Sequence, residues 1–329
     1  MKRRAVLGAF AALGALPALS GAQGRARTFR LGYLIDQPLI EPPSRERAAF
    51  LEGLRELGYV EGVNLRIEYR SSETDPAFLP ELAAELVALR VDAIVAMPDS
   101  PAQAAVKASR TIPIVFLVGG DPVRQGYARS LARPGGNATG LTLLQPSLEP
   151  KRLELLRELL PRARRVAVLR APSALANTGE YAQFTSAAAR KLGLTLESHA
   201  IGDLGELAAR LDSIAASRPD ALVAVADQRL IAARKIIAEF TLARRLPSVM
   251  GVADYAQLGG LLAYATNIPA QFRRLASYVD RILKGAKPGE LPIEQPTRFE
   301  LAVNMNTART LGVSVPQSVL LRADRVIEQ

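Results

Sequence analysis

Ser130-Leu-Ala-Arg-Pro-Gly-Gly-Asn-Ala-Thr-Gly-Leu-Thr142 and Gly259-Gly-Leu-Leu-Ala-Tyr-Ala-Thr-Asn267 are the stretches that decide the fold. Each carries the chain out of one run of alternating strand and helix patterns and into another, and a complete α/β block lies between them. A chain that leaves one α/β lobe, builds a second and then returns has a cleft between two lobes. That arrangement traps small ligands by domain closure.

The pattern on either side supports this reading. Before the first stretch, Phe29–Ile35, Leu65–Arg70, Asp92–Met97 and Ile112–Val118 read as strands. Arg45–Leu57, Pro76–Leu89 and Pro101–Arg110 read as the helices between them, the first with Phe50, Leu54 and Leu57 on one face and Gly58 at its end. Strands separated by helices predict a parallel sheet covered on both faces. Asn137–Leu143 follows the tight-turn signal Pro134-Gly135-Gly136 as a further strand.

The second series places helices over Leu148–Leu160, Asn177–Leu192, Leu204–Ser217 and Arg229–Arg244, with strands over Arg164–Leu169, Thr195–Ile201, Ala221–Ala226 and Pro247–Val252. Ala270–Lys284 is a helix with Phe272, Leu275, Val279 and Ile282 inward, expected to dock back on the first lobe. Pro288, Pro292 and Pro296 mark an extended third crossing. A strand over Phe299–Val303 and helical pieces near 305–311 and 316–328 complete the chain. The expected division is 28–142 with 268–290 in one lobe, and 143–267 with 291–329 in the other.

Composition narrows the function. At 329 residues and 49% apolar content the chain is long and hydrophobic enough for two ordinary domains. Cysteine is absent, so disulfides, thiolate nucleophiles and zinc ribbons are excluded; His199 is the one histidine. The net charge is +10, but its arginines are scattered among helices without a basic block or interleaved aromatics, which reads as solvated surface rather than a nucleic-acid footprint.

The N-terminus reads as an address. Lys2, Arg3 and Arg4 form a basic region, Ala5–Leu19 an apolar stretch shorter than the ~20 residues of a membrane span, and Ser20-Gly21-Ala22 a small-residue cleavage site. Cleavage before Gln23 is expected, leaving a soluble periplasmic protein without stable membrane insertion. Arg3-Arg4 leaves both the general and the twin-arginine export route open.

The chain resembles the tryptophan/tyrosine-type substrate-binding proteins of bacterial ABC transporters. The resemblance spans essentially all of the mature sequence. Ser130–Thr142, Gly259–Asn267, Tyr278–Pro288, Leu291–Leu301, Asn304–Gly312, and Pro113–Phe116 leading to Asp121–Val123 carry it. It implies a type I periplasmic binding (Venus-flytrap) fold, that is, two doubly wound parallel-sheet α/β lobes joined by three crossing segments. It further implies a small-molecule ligand, a permease with its ATPase as partners, and no catalysis or cofactor. Met97–Ser100, Arg170–Ser173 and Ala226–Arg229 depart from the family pattern, all at expected cleft edges. A monomer is expected. The alternative is a periplasmic ligand-sensing module feeding a receptor. An enzyme is disfavoured by the absence of Gly-x-Ser-x-Gly, a P-loop and a post-strand Gly-x-Gly-x-x-Gly.

Ligands of doubly wound sheets sit at the carboxyl ends of strands, where helix amino ends suit a carboxylate. In the first lobe this selects Asp99 and Ser100, with Ser100 as a helix cap alone or a cap that also touches ligand, and Gly120 with Asp121. In the second it selects Asp227 and Asp254, each a partner for an ammonium or an N-cap. Tyr33, Tyr181, Tyr255 and Tyr264 are aromatic clamps or packing residues. Asn267 is a ligand contact or a hinge cap. Together these point to a zwitterion, an apolar or aromatic amino acid or a related carboxylate.

Overall fold

A computed structural model describes residues 27–328 apart from Thr74, Leu144, 171–179 and Asp227. The expected leader, residues 1–22, lies outside the described residues, as does Asp227. The first sheet contains β1 (Phe29–Ile35), β2 (Leu65–Ser71), β3 (Ala93–Ala96), β4 (Ile114–Val118) and β5 (Ala138–Thr142) in the order β2-β1-β3-β4-β5, all parallel. Its helices are α1 (Arg45–Glu56), α2 (Leu79–Ala88) and α3 (Asp99–Ala108). One face packs Leu31, Phe50, Leu54 and Val115; the other packs Leu34, Leu86, Ile94 and Phe116. Every residue of β3 and β4 is buried, which is why both read as unbroken apolar runs. Each large side chain so buried contributes about 1.5–3 kcal/mol.

The second lobe contains α4 (Gln145–Leu159), β6 (Arg165–Arg170), α5 (Glu180–Leu192), β7 (Thr195–Ala200), α6 (Leu207–Ser217), β8 (Ala221–Ala224), α7 (Gln228–Ala232), α8 (Arg234–Ala243), β9 (Ser248–Met250) and β10 (Leu262–Thr266). After α9 (Ile268–Leu283) come β11 (Phe299–Asn304), α10 (Met305–Leu311), α11 (Gln317–Leu320) and β12 (Arg325–Ile327). The sheet order is β12-β11-β10-β9-β8-β6-β7. Read from β7 inward, its first five strands repeat the order of the first sheet. The two lobes are therefore the same doubly wound unit, and the second carries two added strands.

Several expectations need correction. The stretch Gly259–Asn267 is not itself a linker: it contains β10, inside the second sheet, and the chain crosses only at Asn267, whereas the first stretch ends in the expected strand, β5 at the edge of the first sheet, and the chain crosses after Thr142. The piece expected to be helical over 316–328 is a short helix followed by β12, because Ala302–Asn304 of β11 offers Arg325–Ile327 a parallel edge. The helix over Arg229–Arg244 is interrupted between Ala232 and Arg234. Finally, β11 runs antiparallel to β10, so the second sheet is not wholly parallel.

All three crossings lie at the carboxyl ends of the parallel strands. Thr142 ends β5, and α4 follows with Leu153 and Leu156 on Val166, Val249 and Leu262 of the second sheet. Thr266 ends β10, and α9 then packs Leu275, Val279 and Ile282 with Phe50 and Leu54 of the first lobe. On the return, Leu291 and Ile293 still pack in the first lobe's core, so the passage lies after Glu294 rather than at 291. Glu294 runs beside β5, accepting from Thr142 N at 2.9 Å and donating to Gly140 O at 3.1 Å. The chain then enters β11 at Phe299, opposite Thr266.

Arg274 of α9 grips both carboxylate oxygens of Glu294 with one guanidinium edge, Nε and Nη2 donating at 2.9 and 2.6 Å. These hydrogen bonds outweigh burial and hold the Glu294 carboxyl below its ordinary value. Its stabilisation is therefore present above the unfolded carboxylate range and is lost as pH falls through the lower folded value. Glu294→Gln is expected to lower stability at neutral pH, with the gap to the native protein closing in acid. Denaturant melts across that range check this.

Candidate functional site between the lobes

The order β2-β1-β3 places a topological switch point at the ends of β1 and β3, and β7-β6-β8 places another at the ends of β6 and β8. Ligands of doubly wound sheets bind in such crevices. In the first lobe, the loops after β3 and β4 are joined into one body by Asp99. Its buried carboxylate accepts from Gly119 N at 2.9 Å, Gly120 N at 3.2 Å and Gln125 Nε2 at 2.7 Å. The Tyr127 hydroxyl donates to Asp99 O at 3.3 Å, and the Thr142 hydroxyl donates to Gly120 O at 2.5 Å. Asp99 and Gly120 therefore brace the wall that carries Ser100.

Ser100 is not a helix cap. The helix begins at Asp99, two residues before the expected Pro101, with Pro98 in the cap position and no side-chain cap. Asp99, the residue best suited to cap from inside the turn, spends its carboxylate on the neighbouring loop instead. The first turn of α3 thus keeps open donors at the carboxyl edge of the sheet, with the half-buried Ser100 beside them. Ser100→Ala is accordingly expected to change stability by no more than about 0.5 kcal/mol, instead of the ~1 kcal/mol of a lost cap; thermal denaturation is the check.

Asp121 turns inward on its own loop, accepting from Val123 N at 2.8 Å. Tyr33 is 2% exposed and packs against Phe50 and Tyr69, with ring centroids 5.7 and 5.5 Å apart. Burial pushes its phenol far up, and the ring belongs to the first core.

In the second lobe Asp254 does not precede a helix. It lies in a turn and forms a two-pronged pair with Arg234, with contacts of 2.9–3.0 Å. Its charge is therefore already matched. Tyr255 is fully buried, donates to Ser248 Oγ at 2.8 Å, and is core. Asn267 caps α9 by accepting from Ala270 N at 3.0 Å, and its amide donates to Glu300 Oε1 at 2.6 Å. It thus ties the second crossing to the strand that follows the third. Tyr264 packs on Phe299 at 5.7 Å, and its carbonyl accepts from Arg152 Nε at 2.9 Å.

That last contact leads to residues the sequence analysis did not single out. Arg152 and Glu149 are 0% and 1% exposed and form an ion pair on α4. The Arg152 guanidinium lies so close to Gly251, just past β9, that a Cβ there would meet Nη2 at 2.2 Å. Burial pushes the Glu149 carboxyl up, against the pull of Arg152. Tyr181, in the first turn of α5, carries a buried hydroxyl without a hydrogen-bond partner among the described residues, and the charges acting on it include Glu149 and Arg152. The missed signal was legible. Glu149, Arg152, Leu153 and Leu156 have the spacing of one helix face, so two charges occupy core positions.

The structure therefore gathers Asp99, Ser100 and Gly120 on one wall, and Tyr181 and Tyr264 around Glu149–Arg152 on the other. It leaves Tyr33 and Tyr255 in the cores. No helix among the described residues is long and apolar enough to cross a membrane.

Two lobes of repeated topology with their strand ends at the crossings define a type I periplasmic binding fold. Residues 37–327 match the family model described as ABC transporter substrate binding protein, and the chain belongs to that family. The family is one of extracytoplasmic solute-binding proteins, which is not an enzyme class. A curated relative, the tyrosine-binding protein of Clostridioides difficile, is 25% identical over 277 residues, covering 84% of this chain and 79% of its own. A conserved domain protein of Vibrio cholerae has a solved structure 28% identical, covering 91% of this chain and all of that one, with a TM-score of 0.82. A Streptococcus pneumoniae ABC domain solved in complex with L-Trp is 24% identical over 91% of this chain and 100% of its own, with a TM-score of 0.80.

Proposed function

We propose that this chain is the solute-binding component of an ABC importer, exported to the periplasm by a cleaved leader. It captures an apolar or aromatic amino acid, or a related carboxylate, between the lobes by hinge closure and delivers it to a permease with its ATPase. The observation that supports this most strongly is the position of the three crossings. All lie at the carboxyl ends of the parallel strands, so the uncapped amino end of α3 and the polar edge of the second lobe border the same junction. A helix amino end suits the ligand's carboxylate. The relatives that bind tyrosine and L-Trp support the ligand class.

Closure follows from contacts made by one ligand to both lobes, which favour the closed form by their differential affinity. Few residues need to move, because each crossing is short and ends in an ordered element. A thermal-shift screen of amino acids, small carboxylates and sugars tests the reading. Ligand at 100 times its Kd adds about 2.7 kcal/mol of apparent stability. Stabilisation by an apolar or aromatic amino acid is expected; stabilisation confined to sugars refutes the proposal.

A further inference from the structure

We propose that Glu149 is the second lobe's acceptor for the ligand's ammonium group, with the hydroxyls of Tyr181 and Thr266 completing the receptor. This rests on the amino-acid reading above and assigns the charge that Asp254 has already given to Arg234.

Three buried oxygens in this region have no hydrogen-bond partner among the described residues: Glu149 Oε2, Tyr181 Oη and Thr266 Oγ1. All three residues lie at the carboxyl edge of the second sheet. Glu149 is near the start of α4, just past the first crossing; Tyr181 is in the first turn of α5; Thr266 is the last residue of β10, just before the second crossing. Leu262 and Tyr264, which share Thr266's side of β10, pack in the same core as α4 and the end of α5. Buried polar atoms without partners are rare and costly, so three at one edge mark a place built to be completed. All three accept hydrogen bonds, and an ammonium group has three to donate.

The neighbours make Glu149 a fixed acceptor. Arg152 holds its other oxygen and is itself anchored on Tyr264 O at 2.9 Å, with Gly251 leaving the space for its guanidinium. Glu149 and Arg152 together are neutral. A zwitterion is neutral as well, so the lobes can close over it without burying net charge. A carboxylate without an amine would leave the second oxygen of Glu149 unsatisfied and add a negative charge beside it.

The test compares ligands within each variant. Calorimetry would measure L-tryptophan, L-tyrosine, L-phenylalanine and L-leucine, each against the same acid lacking its amine. The native protein is expected to prefer the amino acid by a factor of about 100 or more, as for loss of a buried charge-assisted contact. Glu149→Gln is expected to cut that preference to less than about tenfold. Tyr181→Phe and Thr266→Val each delete one unpartnered hydroxyl. They should leave the free protein as stable or more so, yet weaken the amino acid and spare its deaminated partner. They also decide the matter if Glu149→Gln does not fold. If the variants weaken both ligands of a pair equally, Glu149 has a packing role and the proposal is overturned. If the native protein binds none of the four amino acids, the amino-acid reading itself fails and takes this one with it.

Discussion

Arg152→Met is expected to destabilise the protein by about 3–5 kcal/mol, measured by denaturant unfolding at neutral pH. Arg152 is fully buried, and its removal leaves the carboxylate of Glu149 buried without its counter-charge. Methionine fills much of the same volume, so little of the loss is a cavity. The pH dependence identifies the cause. Burial already raises the Glu149 carboxyl above its ordinary value, and without Arg152 it must rise further. A carboxyl raised in the folded state holds its proton longer than in the unfolded chain. Stability is therefore lost as pH rises from the unfolded value through the folded one. The deficit of Arg152→Met should be smallest in acid and grow towards neutrality. A deficit independent of pH would show that lost packing, not the stranded charge, is responsible.

Gly140→Ala should cost a comparable amount, about 2–6 kcal/mol from backbone strain and overpacking together. Gly140 has φ of +147°, and a Cβ there would lie 2.0 Å from Phe116 O and 2.7 Å from Phe116 N. Those atoms are main chain of the neighbouring strand, so no rotamer relieves the clash. On its other side β5 is bonded to Glu294 of the third crossing, with Glu294 N donating to Gly140 O. The substitution thus presses on the sheet and on a hinge segment at once. Reduced soluble yield and a lower unfolding midpoint are expected; a midpoint equal to that of the native protein would contradict the geometry.

Strands such as Ile114–Val118 and Ala221–Ala224 were legible because parallel strands buried on two faces must be apolar throughout. The return of α9 to the first lobe was legible for a related reason: Phe272, Leu275, Val279 and Ile282 form a stripe that needs a partner. What escaped depends on distant neighbours. Arg325–Ile327 has no strand pattern of its own and is a strand because β11 offers an edge. Asp99 reads locally as part of a helix start, but its carboxylate is claimed by Gly119 and Gly120, twenty and twenty-one residues away. Asp254 reads as a free acid until Arg234 is seen beside it. Glu149 and Arg152 were passed over because charges on a helix are usually solvated; only their phase with Leu153 and Leu156 shows that they face inward.

The candidate site follows the same division. Its location at the strand ends comes from the α/β pattern, and its wall of Asp99, Ser100 and Gly120 from the loops after β3 and β4. Its opposing wall depends on a buried ion pair whose one local signal is its helical phase with Leu153 and Leu156.

The central claim is that one amino acid is held between two lobes that close on it. Small-angle scattering of the purified protein, without ligand and at a concentration shown by calorimetry to saturate it, tests this most directly. The account predicts one amino acid bound per chain and a smaller radius of gyration in its presence. An amino acid bound at saturation with an unchanged scattering profile would contradict closure, and with it the account of how this protein works.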